Sequence, residues 1–383
     1  MAASMEMTVR GERGSVSRIA FGPLSGLGSE LDPSRTVIVT DAEIRRLYRA
    51  SFPTCPVALV ERGEAAKSLA SLEALYGSFL ELGLGRDGLV LAIGGGAISD
   101  LAGFAASTWL RGVNFGFAPT TLLAMVDAAV GGKNGVDFRG VKNLVGSFSQ
   151  PRFVRMDVVL LDSLPDIEFA SGMAEVVKHA AIAGGSYFEL VEAAAKSMEA
   201  RRKADPGPAR PAGEDRSPRP SREELERIVA GSVEIKAGVV NRDERESGER
   251  RVLNLGHTVG HGVEAATGLP HGHSVAAGLG TACRLALSMG RLSPDDCDRI
   301  TRLIETCGLP SSIGAATRAA STLRPGSDIA DGPALRAAIV AAMAADKKRR
   351  GGEILMAIPE AIGSVAIDAV PFPELQAFVT EAP

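Results

Sequence analysis

Four of the five histidines of this chain lie within seventeen residues, in the stretch LNLGHTVGHGVEAATGLPHGH. His257 and His261 are four residues apart, so they share one face if the segment is helical. This spacing occurs in zinc sites, although the glutamate of an HExxH protease motif is absent. A catalytic zinc requires three protein ligands and an open position, which two of these histidines and Glu175 would provide. Ordinary surface or core histidines are the alternative for any two of them.

The segment SGMAEVVKHA supplies that carboxylate and two further ionisable groups. Glu175, Lys178 and His179 stand at i, i+3 and i+4, so a helix would place them on one face. A surface ion pair between Glu175 and Lys178 is the simpler explanation. The apolar neighbours favour burial instead, and a buried carboxylate requires a cation or a metal to offset its desolvation.

The stretch LVLAIGGGAISDLAGFAA is typical of a phosphate-binding turn between a strand and a helix. The strand is predicted to end at Ile93 and the helix to begin near Ile98. Glycines at such a turn let a phosphate approach backbone amides at the positive end of the helix dipole. Ser99 replaces the last glycine of the dinucleotide fingerprint, so a tight turn without a ligand remains an equal alternative. Asp100 is either a capping charge or a cofactor contact.

Polar residues also interrupt the apolar, glycine-rich stretch PTTLLAMVDAAVGGKNGVDFRGVKNLVG. Asp127, Lys133, Lys142 and Asn143 indicate a backbone that bends to present cationic and amide donors to a ligand. A surface hairpin is the alternative, and the apolar context disfavours it. Other polar residues that could complete a cationic cluster for an anionic substrate are Lys236, Arg250, Asn254, Lys347 and Lys348. Solvated surface charge is the alternative, and it is strongest for the KKRR run.

The composition narrows the class of protein. A net charge of −4 over 383 residues gives no general attraction to nucleic acid. No apolar run reaches the roughly 18 residues of a membrane span, and the amino terminus lacks the apolar region of a secretory signal. The four cysteines form no CxxC pair and are predicted to be reduced, mostly buried thiols of a cytoplasmic protein.

Two domains must position these groups. Residues 1–163 alternate β-type runs with helical patterns, which predicts a parallel, doubly wound α/β domain. The strand candidates are RTVIVTD, PVALVE, GLVLAIGGG, VNFGFAP and RMDVVLLD. Residues 164–383 carry long Ala/Leu/Ile-rich stretches with helical spacing and are predicted to form an all-α domain.

One segment fits neither domain. Residues 204–220 hold five prolines among charged and small residues, which predicts a flexible surface loop. Ser221 and Glu224 then form a capping box that begins the next helix.

In combination, the motifs resemble the 3-dehydroquinate synthase family over nearly the whole chain. They occur in the family's order, from GEAAKS through GGGAISDLAGFAAS, DAAVGGKNGVD, ASGMAEVVKHA, NLGHTVGHGVEA and HGHSVAAG to DKKRRGGEILMAIPEAIG. The resemblance implies a Rossmann-like NAD-binding domain, an α-helical domain and an active site in the cleft between them. It also implies a divalent metal (zinc or cobalt) and a homodimer.

The activity implied is that of a carbon–oxygen lyase in the shikimate pathway. It converts 3-deoxy-D-arabino-heptulosonate 7-phosphate to 3-dehydroquinate and phosphate. NAD oxidises a hydroxyl transiently, phosphate is eliminated, the ketone is reduced again, the ring opens, and an intramolecular aldol step closes the carbocycle. NAD is returned unchanged.

The resemblance also implies residue roles, carried over motif by motif. The metal ligands would be Glu175, His257 and His271. The catalytic residues would be Lys133, His261, Asp127, Lys178 and Lys236. Substrate would contact Arg111, Lys142, Asn143, Arg250, Asn254 and one of Lys347 and Lys348. NAD would contact Asp41, Glu64, Lys67, Gly95, Gly96, Asp100, Thr120, Thr121, Lys133 and Lys142. His273 departs from the family's HGE and receives no catalytic role.

Two related activities remain as alternatives. A metal-dependent glycerol or alcohol dehydrogenase shares the glycine turn and the histidine-based metal site, but needs no cations for a doubly anionic substrate. Another sugar phosphate cyclase, of the 2-deoxy-scyllo-inosose or valiolone type, acts on substrates without a carboxylate. Arg250, as the carboxylate contact, is the residue that discriminates.

Overall fold

The computed structural model describes residues 6–11, 14–204, 218–324, 329–344, 349–350 and 352–381. The chain divides into two compact units. The first comprises Met1–Leu164 and Lys236–Arg245, and the second comprises Pro165–Ile235 and Glu246–Pro383. Over the described ranges, no helix is both long and apolar enough to cross a membrane.

The first unit is built on strands separated by helices. The strands are β1 (Glu6–Arg10), β2 (Val16–Phe21), β3 (Thr36–Asp41), β4 (Val57–Val60), β5 (Leu89–Gly94), β6 (Asn114–Pro119), β7 (Lys133–Phe138), β8 (Val141–Phe148) and β9 (Phe153–Met156). The α-helices are α1 (Ala42–Leu47), α2 (Leu69–Glu81) and α3 (Gly96–Thr108).

One seven-stranded sheet, in the order β1-β2-β9-β6-β5-β3-β4, forms the centre of this unit. Only the β1–β2 pair within it is antiparallel among the described residues. Every residue of β3 is buried, as expected of a parallel strand covered on both faces. The predicted parallel α/β domain is therefore confirmed, and β1 and β2 are additions to the predicted strands.

The last predicted strand, RMDVVLLD, is only partly a strand. β9 ends at Met156, and a 3-10 helix runs over Val158–Ser163. Asp157 is its N-cap, and the carboxylate accepts hydrogen bonds from the amides of Val159 and Leu24. Because the carboxylate caps the Val159 amide in the first turn, the apolar run continues as a helix.

The glycine-rich stretch around Lys133 and Lys142 forms a hairpin, although its apolar context argued against one. β7 and β8 pair antiparallel, with Lys133 opposite Phe148. Buried Asn134 donates from its side-chain amide to the carbonyl oxygens of Gly132 and Ser149, which joins the two ends of the hairpin. The apolar context misled the prediction because the exposed strand β8 itself carries large apolar side chains.

The second unit is mainly helical. Its helices are α4 (Asp166–Ala183), α5 (Gly185–Ala204), α6 (Arg222–Arg242, whose last part groups with the first unit), α7 (His257–Thr267), α8 (His271–Ser288), α9 (Pro294–Thr306), α10 (Ile313–Leu323), α11 (Pro333–Ala344) and α12 (Phe372–Glu381). α8 is its most buried helix: every residue from Gly272 to Cys283 is buried. The helical prediction is confirmed.

A small antiparallel sheet accompanies these helices and was not predicted. It consists of β10 (Arg349–Arg350), β11 (Glu353–Ala361) and β12 (Ser364–Pro371). β11 has the run of buried residues that marks a strand against a core. Lys347 and Lys348, just before it, lie outside the described residues.

The capping box before α6 is confirmed. The Ser221 amide donates to Glu224 Oε2 at 2.7 Å, and the Glu224 amide donates to Ser221 Oγ at 3.3 Å. The loop predicted at 204–220 falls mostly on residues 205–217, outside the described part of the chain. The four cysteines are free thiols, and three of them are buried, as predicted.

Candidate active site

Three predicted metal ligands converge in the second unit. Oε1 of Glu175, on α4, lies 3.7 Å from Nε2 of His257 and 3.7 Å from Nε2 of His271. One ligand atom from each residue lies within 4.8 Å of the other two. Glu175 is fully buried and His257 nearly so, whereas the His271 side chain is 34% exposed, so the group is open to solvent on the side of His271.

Two glycines allow the three helices to approach this closely. A Cβ on Gly272 would lie 2.0 Å from the carbonyl oxygen of Ser171 on α4, and one on Gly278 would lie 2.0 Å from that of Gly256. The Gly272 amide also donates to Ser171 Oγ at 2.9 Å. Any side chain at either glycine would push α8 away from α4 or from the start of α7. The close contact therefore places the first residue of α8, His271, beside Glu175.

The far nitrogen of each histidine has an oxygen partner. Nδ1 of His271 lies 3.0 Å from Oε2 of Glu264, and Nδ1 of His257 lies 3.3 Å from the carbonyl oxygen of Leu255. Carbonyl and carboxylate oxygens only accept hydrogen bonds, so each Nδ1 carries the proton. The lone pair of each Nε2 then faces Glu175, as metal ligation requires.

His261 lies beside this group without belonging to it. Its ring centroid is 5.4 Å from that of His257 and 5.9 Å from that of His271, and the side chain is exposed. His273, two residues after His271 on α8, is buried. Burial lowers the pKa of His273 to about 4, so it is neutral near pH 7.

The predicted shared face of α4 is confirmed. Glu175, Lys178 and His179 are each no more than 1% exposed. Lys178 Nζ forms an ion pair with Oε2 of Glu175, the oxygen that does not face the two histidines. The two carboxylate oxygens thus face different cationic or metal-binding groups.

Arg250 and Asn254 occupy one 3-10 helix, Glu249–Asn254, ahead of α7. Arg250 is only 2% exposed, so it is not one more solvated charge of the ERESGERR run. The side-chain amide of Asn254 donates to Oε1 of Glu246, a residue held at a φ of 61°. A buried guanidinium and an oriented amide are suited to a carboxylate and a hydroxyl, respectively.

In the first unit, Lys67 contacts Asp100, a predicted NAD contact like Lys67 itself, and Asn143, a predicted substrate contact. Its Nζ lies 2.8 Å from Oδ2 of Asp100 and 2.5 Å from Oδ1 of Asn143. Burial by itself would lower the pKa of Lys67, but the carboxylates of Asp100, Glu64 and Asp137 outweigh it and raise that pKa. Burial raises the pKa of Asp100 to about 6, although Lys67 opposes the shift.

The glycine turn has the features of a phosphate-binding site. Gly95 is the N-cap of α3 and provides no side-chain hydrogen bond to the first amides of the helix. Thr120, two per cent exposed, has a hydroxyl without a hydrogen-bond partner among the described residues. Thr121 packs its methyl against Gly95. Asp41 ends β3, the neighbour of β5, and its Oδ1 caps α1 by accepting from the amide of Ile44.

Asp127 and Lys236 form the other predicted pair of this unit. Lys236 Nζ donates to the Asp127 carbonyl oxygen at 2.7 Å and to its carboxylate. Lys133 and Lys142, on the hairpin, are exposed. Arg111 is exposed as well and has a φ of 72°, a conformation that is strained for a residue with a side chain.

Comparison with known proteins decides the family. The sequence model "3-dehydroquinate synthase N-terminal" matches residues 57–171, and "3-dehydroquinate synthase C-terminal" matches residues 172–349. The chain belongs to the 3-dehydroquinate synthase family. A 3-dehydroquinate synthase of Cyanothece sp. is 38% identical over 377 residues, which cover 93% of each chain.

Solved structures share the fold of this family member. A 2-deoxy-scyllo-inosose synthase complexed with carbaglucose-6-phosphate, NAD+ and Co2+ has a TM-score of 0.78 at 23% identity, covering 98% of this chain and all of that one. A 2-epi-5-epi-valiolone synthase from Streptomyces hygroscopicus, with NAD+ and Zn2+ bound, has a TM-score of 0.76 at 24% identity, covering 99% and 98%. The predicted fold class and family are confirmed.

Two residues of the site were missed by the sequence analysis. Glu264 is seven residues after His257, so on α7 the two lie two helical turns apart on one face. A helical-wheel comparison of HTVGHGVE would have revealed it. Glu246 gave no such signal, because its contact with Asn254 depends on an irregular loop.

Proposed function

We propose that this member of the family converts 3-deoxy-D-arabino-heptulosonate 7-phosphate to 3-dehydroquinate and phosphate, with NAD and a divalent metal. The observation that carries the proposal is the group Glu175, His257 and His271, whose histidines both direct an unprotonated nitrogen at one carboxylate oxygen.

The three side chains fit a zinc or cobalt ion. Bonds of about 2.0–2.2 Å at a tetrahedral angle place two ligand atoms about 3.3–3.5 Å apart. The two distances of 3.7 Å in this group correspond to a slightly wider angle. A metal bound there supplies a Lewis acid for hydroxyl oxygens of the substrate, and three protein ligands leave a position open.

The glycine turn fits a dinucleotide. The uncapped amides at the start of α3 suit a pyrophosphate, and Asp41 lies at the end of the adjacent strand, where a ribose hydroxyl is recognised in such folds. We assign NAD contacts to Asp41, Glu64, Lys67, Gly95, Gly96, Asp100, Thr120 and Thr121. NAD supplies a hydride acceptor that is regenerated within the cycle.

The remaining polar residues suit the two anionic ends of the substrate. Arg250 is the proposed carboxylate contact, since a buried guanidinium can hold a carboxylate through two parallel hydrogen bonds. Asn254 would orient a hydroxyl. Arg111, Lys133, Lys142 and Asn143 would bind the phosphate, and one of Lys347 and Lys348, outside the described residues, would assist.

Four groups are suited to move or hold protons. His261 is exposed beside the metal ligands and would exchange a proton with substrate or water. Lys178 would hold or transfer a proton beside Glu175, with which it forms a buried ion pair. Lys236 and Asp127 form a hydrogen-bonded ion pair that would hold or transfer a proton.

A different sugar phosphate cyclase activity is the second candidate, favoured by the two solved structures of similar fold. An assay of phosphate release, with NAD present, distinguishes the two candidate activities. The heptulosonate phosphate should be turned over, and glucose 6-phosphate and sedoheptulose 7-phosphate should not, because both lack the carboxylate. NADH absorbance should stay flat as phosphate accumulates. Release from only the carboxylate-free sugars would contradict the proposal, and net NADH formation would indicate a dehydrogenase.

We further propose a cytoplasmic homodimer. Free, mostly buried thiols suit a reducing compartment.

The dimer would bury an exposed apolar patch. Val141, Leu144 and Phe148 of β8 are 40–46% exposed, and a second copy of the chain would cover them. Light scattering on the eluting protein should give twice the mass of one chain, and Phe148→Glu should reduce it to one. A monomeric wild type would contradict the dimer.

A further inference from the structure

We propose that Glu264 is a positioning residue, which fixes the ring of His271 and keeps its proton on Nδ1 so that Nε2 can bind the metal. The proposal rests on the metal-dependent function proposed above and adds a residue to it. Glu264 lies on α7, whereas His271 begins α8. Their contact therefore joins two helices across the turn between them.

The geometry of the pair is specific. Oε2 of Glu264 lies 3.0 Å from Nδ1 of His271, while Nε2 of the same ring lies 3.7 Å from Glu175. The ring thus spans two carboxylates, one at each nitrogen. The Glu264 side chain is 11% exposed, so its position is restricted by packing, whereas that of His271 is 34% exposed.

The exposure of His271 explains why it needs such a partner. A neutral imidazole can carry its proton on either nitrogen, and a partly exposed ring can turn. An ionised carboxylate accepts but cannot donate, so it selects the form with the proton on Nδ1. Its negative charge also makes the opposite nitrogen more basic and a stronger ligand.

His257, the other histidine ligand, is held in a different way from His271. Its Nδ1 partner is the backbone carbonyl of Leu255, and the residue is nine per cent exposed. Its orientation is therefore set by the main chain and by burial. The Nδ1 partner of His271 is instead a side chain, so metal binding through His271 should respond to mutation at 264.

Two variants of similar side-chain volume separate hydrogen bonding from packing. Glu264→Gln can still accept from Nδ1, and Glu264→Met cannot. We expect Glu264→Met to bind Zn2+ and Co2+ about 10–100-fold more weakly than wild type. Glu264→Gln should lose less than about 10-fold, because only the charge is removed. Chelator competition gives the affinities, and visible absorption of bound Co2+ reports the coordination geometry. Exposed Glu226→Gln is the control and should match wild type.

The tautomer can also be measured without altering position 264. Nitrogen-15 NMR of the metal-free wild type, labelled at its five histidines, should show a proton on Nδ1 of His271. The spectrum of His271→Gln assigns the signal. A ring with its proton on Nε2 and none on Nδ1 would overturn the proposal, even if Glu264→Met fails to fold.

The outcomes separate this inference from the proposed function. Glu264→Met within twofold of wild type in metal affinity, or Glu264→Gln as weak as Glu264→Met, overturns the role of the hydrogen bond. A wild type that binds metal but releases no phosphate from the heptulosonate contradicts the function and leaves the affinity test of Glu264 decisive. A wild type that binds no metal overturns both.

Discussion

The ammonium of Lys67 lies 2.5 Å from the side-chain oxygen of Asn143, seventy-six residues further along the chain. Asn143 has a φ of 50°, and its amide donates to Oδ1 of Asp137 at 2.7 Å. The Asp137 amide in turn donates to the Lys67 carbonyl oxygen at 2.9 Å. The segment before α2 and the β7–β8 hairpin are thus joined at two points, and the bond from Asn143 to Asp137 braces the hairpin itself. Lys67 also reaches Asp100 on α3.

Removing the Lys67 charge should impair substrate use. Lys67→Met leaves Asp100 partly buried without its cation and releases the side chain of Asn143. A charged hydrogen bond contributes about 1.5–3 kcal/mol, so kcat/KM for phosphate release should fall by at least about 10-fold. The exposed Lys196→Met variant is the matched control and should keep wild-type rates. Rates within twofold of wild type for Lys67→Met would show that this link is dispensable.

Asp100 should make the stability of the first unit depend on pH. Its pKa is about 6 in the folded chain and 3.8 in a model peptide, so the folded state binds the proton more tightly. Above pH 6 the buried charge costs stability, and that cost is relieved as the pH falls through 6. From pH 7.5 to 4.5, wild type should gain about 2 kcal/mol relative to Asp100→Asn. Urea unfolding of both proteins measures the difference, and a relative loss by wild type would contradict the assigned shift.

The zinc content of single variants should distinguish the three metal ligands from the neighbouring His261. Glu175→Ala, His257→Ala and His271→Ala should each lose bound zinc after dialysis, because one ligand of three is removed. His261→Ala should retain it, since its ring lies beside the group rather than in it. Elemental analysis of the dialysed proteins provides the test. Stoichiometric zinc in His257→Ala would exclude this ligand set.

Arg250 should be required for efficient turnover of a substrate that carries a carboxylate. Leaving a substrate carboxylate unpaired in a buried site costs roughly 2–5 kcal/mol. Arg250→Ala should therefore lower kcat/KM for the heptulosonate phosphate by about 30-fold or more, with metal and NAD affinity close to wild type. Arg250→Lys should recover only part of the activity, because lysine cannot form two parallel hydrogen bonds. Unchanged kinetics in Arg250→Ala would reopen the assignment of the substrate.

Much of this protein follows from local sequence pattern. The strand-and-helix alternation predicted the α/β unit, and Ser221 and Glu224 predicted the start of α6. Glu175 and Lys178 could be placed together because residues three apart on a helix share a face. The order of the motifs was enough to indicate the family. In each case the information lies within a few residues or in a series of short motifs.

The tertiary structure decided the contacts between distant segments. Glu264 faces His271, Glu246 orients Asn254, and Lys67 reaches Asn143. The β7–β8 hairpin and the small C-terminal sheet likewise required the folded chain, because apolar runs of that length fit a strand or a buried helix equally well. The hydrogen-bond partner of a polar side chain depends on how closely its helix packs against the neighbouring helices. Gly272 and Gly278 set that approach by leaving room for neighbouring backbone, and only their position in the folded chain identifies what they touch.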